Sequence, residues 1–157
     1  AGTAEHNDTG EGELSDRPTA HTRAQYRHFL PIQTRWSDND AYGHVNNVVY
    51  YSWFDTVVNE YLIAAGALDI QASPVVGLVV ETRCSYFSEL AFPQRVDAGL
   101  RVAHAGTSSV RYELALFGAL SDTASAQGHF IHVYVDRASR RPVPLPLALR
   151  AAVERLR

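Results

Sequence analysis

The chain has little of what several function classes require. It holds one cysteine, Cys84, in 157 residues, which excludes an intrachain disulfide framework and any zinc or iron–sulfur site built from cysteines of one chain. No apolar run approaches the roughly 20 residues that a membrane-spanning helix needs. The N-terminus carries no apolar secretion segment, so the expectation is a soluble cytoplasmic protein with no membrane partner. Charge of one sign is not in excess either. Lys+Arg is 14 and Asp+Glu is 17, a formal net charge of −3, which gives no electrostatic case for a dedicated nucleic-acid binder. No HExxH or paired CxxC spacing connects the 7 histidines, and no metal is expected. A glycine-rich phosphate loop is missing as well, so nucleotide hydrolysis has no support.

What is present is a core. Hydrophobic residues make up 46% of the chain, enough for one ordinary domain. Residues 1–22, AGTAEHNDTGEGELSDRPTAHT, have only alanine and Leu14 as apolar content and bury too little to offset their ordering entropy. They read as a disordered leader, with residues 23–157 forming a single domain. From Tyr26 the segment YRHFLPIQTRW can form a strand, and Pro31 places it at an edge or a bulge. The stretch SDNDAYGHVNN is dense in turn formers and must be a loop.

The longest helix in the sequence follows, VVYYSWFDTVVNEYLIAAG, capped by Asn46 or Asn47 and closing at Gly66. Tyr50, Phe54, Val57, Tyr61 and Ala65 recur at three- and four-residue steps, joined by Val58 and Leu62. Only Asp55, Asn59 and Glu60 form a polar strip, so the helix should be largely enclosed. The wrapping comes from later segments. VVGLVVETRCSYF is a long strand candidate, and QRVDAGLRVAHAG sets Val96, Ala98, Leu100 and Val102 on one face. SSVRYELALFG repeats the alternation with Val110, Tyr112, Leu114 and Leu116, and AQGHFIHVYVD sets Ile131, Val133 and Val135 against His132 and Tyr134. Period-two patterns with short turns between them describe an antiparallel sheet. A proline-spaced extended segment then leads into a short amphipathic helix, LALRAAVERLR. The expected fold is α+β: one long central helix wrapped by a sheet of about five strands.

The densest polar cluster, Arg35-Trp36-Ser37-Asp38-Asn39-Asp40-Ala41-Tyr42-Gly43-His44-Val45-Asn46-Asn47, enters the N-terminal end of that helix. Free backbone N–H groups and aligned peptide dipoles there favour a carbonyl oxygen that is gaining charge. A carboxylate beside that point can attack the carbonyl carbon or take a proton from water. Those two elements suffice for acyl transfer to water. Asp38, two residues before Asp40, reads as a brace for the turn, and on the residues alone Asp40 reads first as an Asx-turn or helix-capping aspartate.

The run RWSDNDAYGHVNNVVY, with the sheet pattern behind it, resembles the hotdog-fold acyl-CoA thioesterases of the 4-hydroxybenzoyl-CoA thioesterase-like group. The resemblance covers about residues 26–147. It implies a curved antiparallel sheet around the helix and a homo-oligomer, a dimer or a tetramer, with sites between subunits. It also implies hydrolysis of acyl-CoA, or of acyl-carrier-protein thioesters, to the free acid without a cofactor, coenzyme A being part of the substrate. By that resemblance Asp40 is the catalytic carboxylate, Gly43 the glycine of the following turn, and Asn47 the residue whose backbone N–H polarises the thioester carbonyl. His44 is either a second acid–base group or a residue that pins the loop. Arg137, Arg140 and Arg141, in the run DRASRRPVP, are the candidates for coenzyme A phosphates. Alternative readings are a hotdog-fold enoyl-CoA hydratase or dehydratase, for which His44 would be indispensable, and a non-catalytic acyl-CoA-binding protein.

Overall fold

A computed structural model describes residues 18–157, and most of the expected leader lies outside the described residues. Residues 19–22, at its end, run against the sheet: Gln127 donates to the Thr19 carbonyl at 3.0 Å, and the His21 amide donates to the Gln127 side chain at 2.7 Å. The elements are β1 (His28–Gln33), α1 (Asn47–Ala64), β2 (Val75–Tyr86), β3 (Arg95–Ala105), β4 (Ser109–Gly118), β5 (Ala126–Asp136) and α2 (Leu147–Glu154). The five strands form one antiparallel sheet in the order β1-β3-β4-β5-β2. Together with α1 laid on one face, this is the hotdog arrangement.

Pro31 sits in β1, an edge strand, where a missing N–H costs no ladder bond. At the opposite edge lies β2, which leaves Leu78, Val79 and Val80 exposed. Asn46 caps α1, its side chain accepting from the Val48 amide at 3.0 Å, and Gly66 ends the helix with a φ of +72°. Tyr50, Trp53, Phe54, Val57, Val58 and Leu62 of the helix are buried. They meet Val96, Ala98, Leu100 and Val102 of β3 and Val110, Tyr112, Leu114 and Leu116 of β4, all in the same core cluster. The enclosure of α1 is completed by α2, whose Leu149, Ala152 and Val153 join that core and whose Ala152 carbonyl accepts from the Tyr61 hydroxyl at 2.6 Å.

In β5 the faces are the reverse of the expected ones. Phe130, His132 and Tyr134 are buried, with Phe130 and Tyr134 in the core cluster, while Ile131 and Val133 are partly exposed on the other side. Registry explains this. Phe130 pairs with Tyr112 and His132 with Val110, and residues directly opposite in a ladder point to the same face. Partners on β4 therefore decide which side of β5 is inside, and aromatic bulk fills it. A bulge between Val79 and Glu81 then turns β2 over, so that Glu81 projects outward and its Oε2 accepts from His129 Nε2 at 2.6 Å. Among the described residues no helix is long and apolar enough to cross a membrane.

Burial also sets the charge of the interior. His132 is held neutral, its pKa lowered from 6.5 to about 4 by desolvation, against a smaller opposing pull from Asp55. A histidine depressed in the folded state leaves stability intact above its unfolded pKa and removes it as pH falls from about 6.5 toward 4. Thermal melts of the His132→Leu variant should therefore lose less stability than the wild type across that interval. The two faces of α1 give a second test. Phe54→Ala should cost about 3–5 kcal/mol in urea unfolding, whereas Val48→Ala, at a position 68% exposed, should change it by less than about 0.5 kcal/mol.

Candidate functional site

The loop between β1 and α1 is built around a buried carboxylate. Asp38 is 1% exposed, and its Oδ2 accepts from the Arg35 amide at 2.7 Å while Oδ1 accepts from the Arg35 guanidinium at 2.9 Å. Its carbonyl accepts from the Asn46 amide at 2.9 Å, which ties the start of the loop to the helix cap. Asn39 receives the Phe92 amide at 3.0 Å, and the Val45 amide donates to the Leu90 carbonyl at 2.7 Å. Those bonds fasten the loop to the segment that follows β2. The expected brace is thus Asp38, and it is spent on the fold.

Asp40 is placed differently. Its Oδ1 accepts from the Tyr42 amide at 2.8 Å, the expected Asx-turn contact, and Oδ2 has no hydrogen-bond partner among the described residues. The Asp40 carbonyl accepts from the Gly43 amide at 3.1 Å and the Asp40 amide donates to the His44 carbonyl at 2.9 Å, closing a tight turn. Gly43 has a φ of +81°, and nothing lies within 4 Å of a Cβ placed there. The glycine therefore answers a backbone requirement of the turn.

Asp40, Gly43, His44 and Asn47 come together at the N-terminus of α1. Asp40, Tyr42, His44, Asn47, Tyr50, Tyr86 and Phe87 line a cavity of about 510 Å³. Of the first helical amides, Val48 donates to the Asn46 side chain at 3.0 Å and Val49 to the Asn46 carbonyl at 2.9 Å. The Asn47 amide has no partner among the described residues, so a donor at the positive end of the helix dipole is left to the cavity. His44 Nε2 lies 2.9 Å from Glu89, an exposed pair that contributes little stability. Glu89 and Ser88 also line the cavity. No spacing signal in the chain points to them, because they enter from beyond β2. Tyr86 bridges to α1 by donating its hydroxyl to the Asn47 carbonyl at 3.2 Å, and burial raises its pKa well above the ordinary tyrosine range. Cys84, behind it, is pushed up to about 11 by burial, as an inert thiol would be.

Arg137, Arg140 and Arg141 are not part of this cluster within one chain. Tyr86 pairs with Ala126 at one end of the β2–β5 ladder and Val75 pairs with Asp136 at the other, so the arginine run lies a full strand length from Asp40. The Arg137 guanidinium donates to the carbonyls of Ser73 and Ile70, both at 2.8 Å, and braces the loop before β2. Arg140 and Arg141 are exposed, in a turn where Arg140 has a φ of 63°.

The sequence profile of the thioesterase-like superfamily matches residues 34–153. A search of curated protein sequences gave no match. Among solved structures, the PA5185 protein from Pseudomonas aeruginosa strain PAO1 is 58% identical, with a TM-score of 0.86 over 88% of this chain and 96% of its own. The PA2801 protein of the same organism, described as a candidate thioesterase, is 29% identical, with a TM-score of 0.76 over 82% of this chain and 98% of its own. Slr0204, a 1,4-dihydroxy-2-naphthoyl-CoA thioesterase from Synechocystis, shares the fold at 18% identity, with a TM-score of 0.73 over 80% of this chain and 93% of its own.

The two aspartates should separate cleanly in a stability measurement. Asp38→Ala strips partners from the Arg35 amide inside the fold and should cost about 1–3 kcal/mol. Asp40→Ala loses one exposed turn contact and should cost less than about 1 kcal/mol, as denaturant titration of the two variants would show.

Proposed function

Because the chain belongs to the thioesterase-like superfamily, we propose that it hydrolyses acyl-CoA thioesters and that Asp40 is the carboxylate that drives the reaction. One observation carries this reading. Among the described residues a carboxylate oxygen of Asp40 and the first amide of a buried helix, both lining one cavity, have no hydrogen-bond partner. The thioester carbonyl accepts from the Asn47 N–H, where the helix dipole stabilises the oxyanion. Asp40 then either draws a proton from an attacking water or attacks the carbonyl carbon itself, forming a mixed anhydride that water resolves. The departing thiolate is a good leaving group, so the step needs no strong general acid. Gly43 gives the turn its left-handed bend, and His44 orients the loop through Glu89 rather than carrying a proton.

The active form is a homodimer in this reading. The open edge of β2, with Leu78, Val79 and Val80 exposed, supports pairing with a second copy. Antiparallel pairing of the two β2 strands lays the Val75 end of one beside the Tyr86 end of the other. The exposed Arg140 and Arg141 of one subunit then approach the Asp40 cavity of its partner, where guanidinium groups suit coenzyme A phosphates.

Thiol release from a panel of acyl-CoA esters tests the reading. Asp40→Asn should slow release by about 10²- to 10⁴-fold with the fold and the oligomer intact. Release that survives the substitution would overturn the role of Asp40. Single turnover in heavy-oxygen water separates the two routes, since only nucleophilic attack leaves label in the Asp40 carboxylate.

A further inference from the structure

The face of the sheet turned away from α1 holds a separate polar cavity of about 250 Å³. Arg83 and Ser85 of β2, Arg111 and Glu113 of β4, and His21 and Tyr26 of the segment before β1 are in its lining. Registry brings the strand residues together. Arg83 pairs with His129 and His129 with Glu113, while Ser85 pairs with Gln127, and residues directly opposite in a ladder share a face. Cys84 and Tyr86 alternate with them and point the other way, where Tyr86 lines the Asp40 cavity. Gly128 lets the β2 backbone come close, since a Cβ there would collide with the Arg83 carbonyl. The two cavities therefore lie on opposite faces of one strand.

Donors outnumber acceptors here. Among the described residues the Arg83 guanidinium has no hydrogen-bond or ion-pair partner. The Arg111 guanidinium makes one bond, donating to His129 Nδ1 at 3.2 Å. That bond fixes the tautomer of His129, whose Nε2 then donates to Glu81 at 2.6 Å and occupies that carboxylate. Glu113 is occupied as well, accepting from Arg101 at 3.2 Å. Burial raises the pKa of Tyr26 well above the ordinary tyrosine range. Its hydroxyl therefore keeps its proton and donates to His21 Nδ1 at 2.9 Å, which leaves the proton of a neutral His21 on Nε2. Two guanidinium groups, an imidazole N–H and the Ser85 hydroxyl remain, with no carboxylate assigned to them. We propose that this cavity binds a tetrahedral oxyanion of the phosphate class between Arg83 and Arg111. The planar guanidinium fork matches phosphate oxygens. The volume is below the range of about 300–1,000 Å³ usual for drug-sized ligands, so the occupant is free phosphate or a phosphate on a small organic group. It is not the coenzyme A ester, and the site does not depend on hydrolysis at Asp40.

Isothermal titration of the full chain with inorganic phosphate and with glycerol 3-phosphate, in a buffer free of other oxyanions, tests the site. At least one of the two should bind saturably, with one molecule per chain. Arg83→Gln and Arg111→Gln should each weaken that binding by at least about tenfold, as the loss of a charge-assisted hydrogen bond does. Arg83→Lys, which keeps the charge but not the fork, should weaken it less than Arg83→Gln. The Arg83 variants lose no side-chain bond among the described residues, so their thermal melts should match the wild type. Arg140→Gln combined with Arg141→Gln, far along the sheet, should leave the affinity unchanged. Tighter binding of glycerol 3-phosphate supports the site with a small phosphate ester as its ligand, and tighter binding of inorganic phosphate supports it with free phosphate. Saturating coenzyme A should displace neither, and displacement would overturn a site separate from the thioester. No saturable binding of either probe, or binding that both glutamine variants leave intact, would overturn the proposal.

Discussion

Everything in this protein follows from the need to enclose one helix. An 18-residue helix with Tyr50, Trp53, Phe54, Val57, Val58 and Leu62 buried cannot stand in water alone. Four of the five strands follow it in the chain and, with α2, supply its cover. Such enclosure has a chemical by-product. A helix fixed in a core has its N-terminal amides fixed too, and donors that do not reorganise are what a developing oxyanion requires. The Asp38 carboxylate completes the arrangement by locking the loop against Arg35 and, through its carbonyl, against Asn46. Asp40 is thereby free to leave one oxygen uncommitted.

Much of this was legible in the sequence because local signals agreed with one another. Tyr50, Phe54, Val57 and Tyr61 at helical steps, ended by Gly66, located α1 to within a residue or two. Pro31 marked the edge strand, and the even positions of β3 and of β4 named the sheet's inner face. The spacing of two between Asp38 and Asp40 suggested Asp38 as the brace of the turn, which its bonds to Arg35 match, whereas the role of Asp40 came from the family resemblance and not from spacing. What failed was β5. Ile131, Val133 and Val135 looked like the inner face by hydrophobicity, yet Phe130, His132 and Tyr134 occupy it. Hydropathy ranks imidazole and phenol as polar, whereas the face of the sheet under α1 takes their bulk, and only the ladder to Val110 and Tyr112 reveals the choice. Pairing partners are tertiary information, which no single strand contains.

The arginine run illustrates the same limit in another way. Arg137, Arg140 and Arg141 stood out as a cationic cluster, but one guanidinium braces the loop before β2 and all three lie at the far end of the sheet from Asp40. Distance along one chain is a poor guide where β2 remains an open edge. In the proposed dimer an antiparallel second copy would exchange the ends of β2 and bring together groups that a single chain keeps apart. The functional reading therefore depends on symmetry as much as on the turn at Gly43.

The central claim is that the Asn47 amide and the Asp40 carboxylate converge on one carbonyl. A crystal structure of the Asp40→Asn protein with an intact acyl-CoA ester tests it directly. The account requires the thioester oxygen within hydrogen-bond distance of the Asn47 N–H and the carbonyl carbon facing the side chain of residue 40. A carbonyl bound away from the N-terminus of α1, or turned from residue 40, would contradict it.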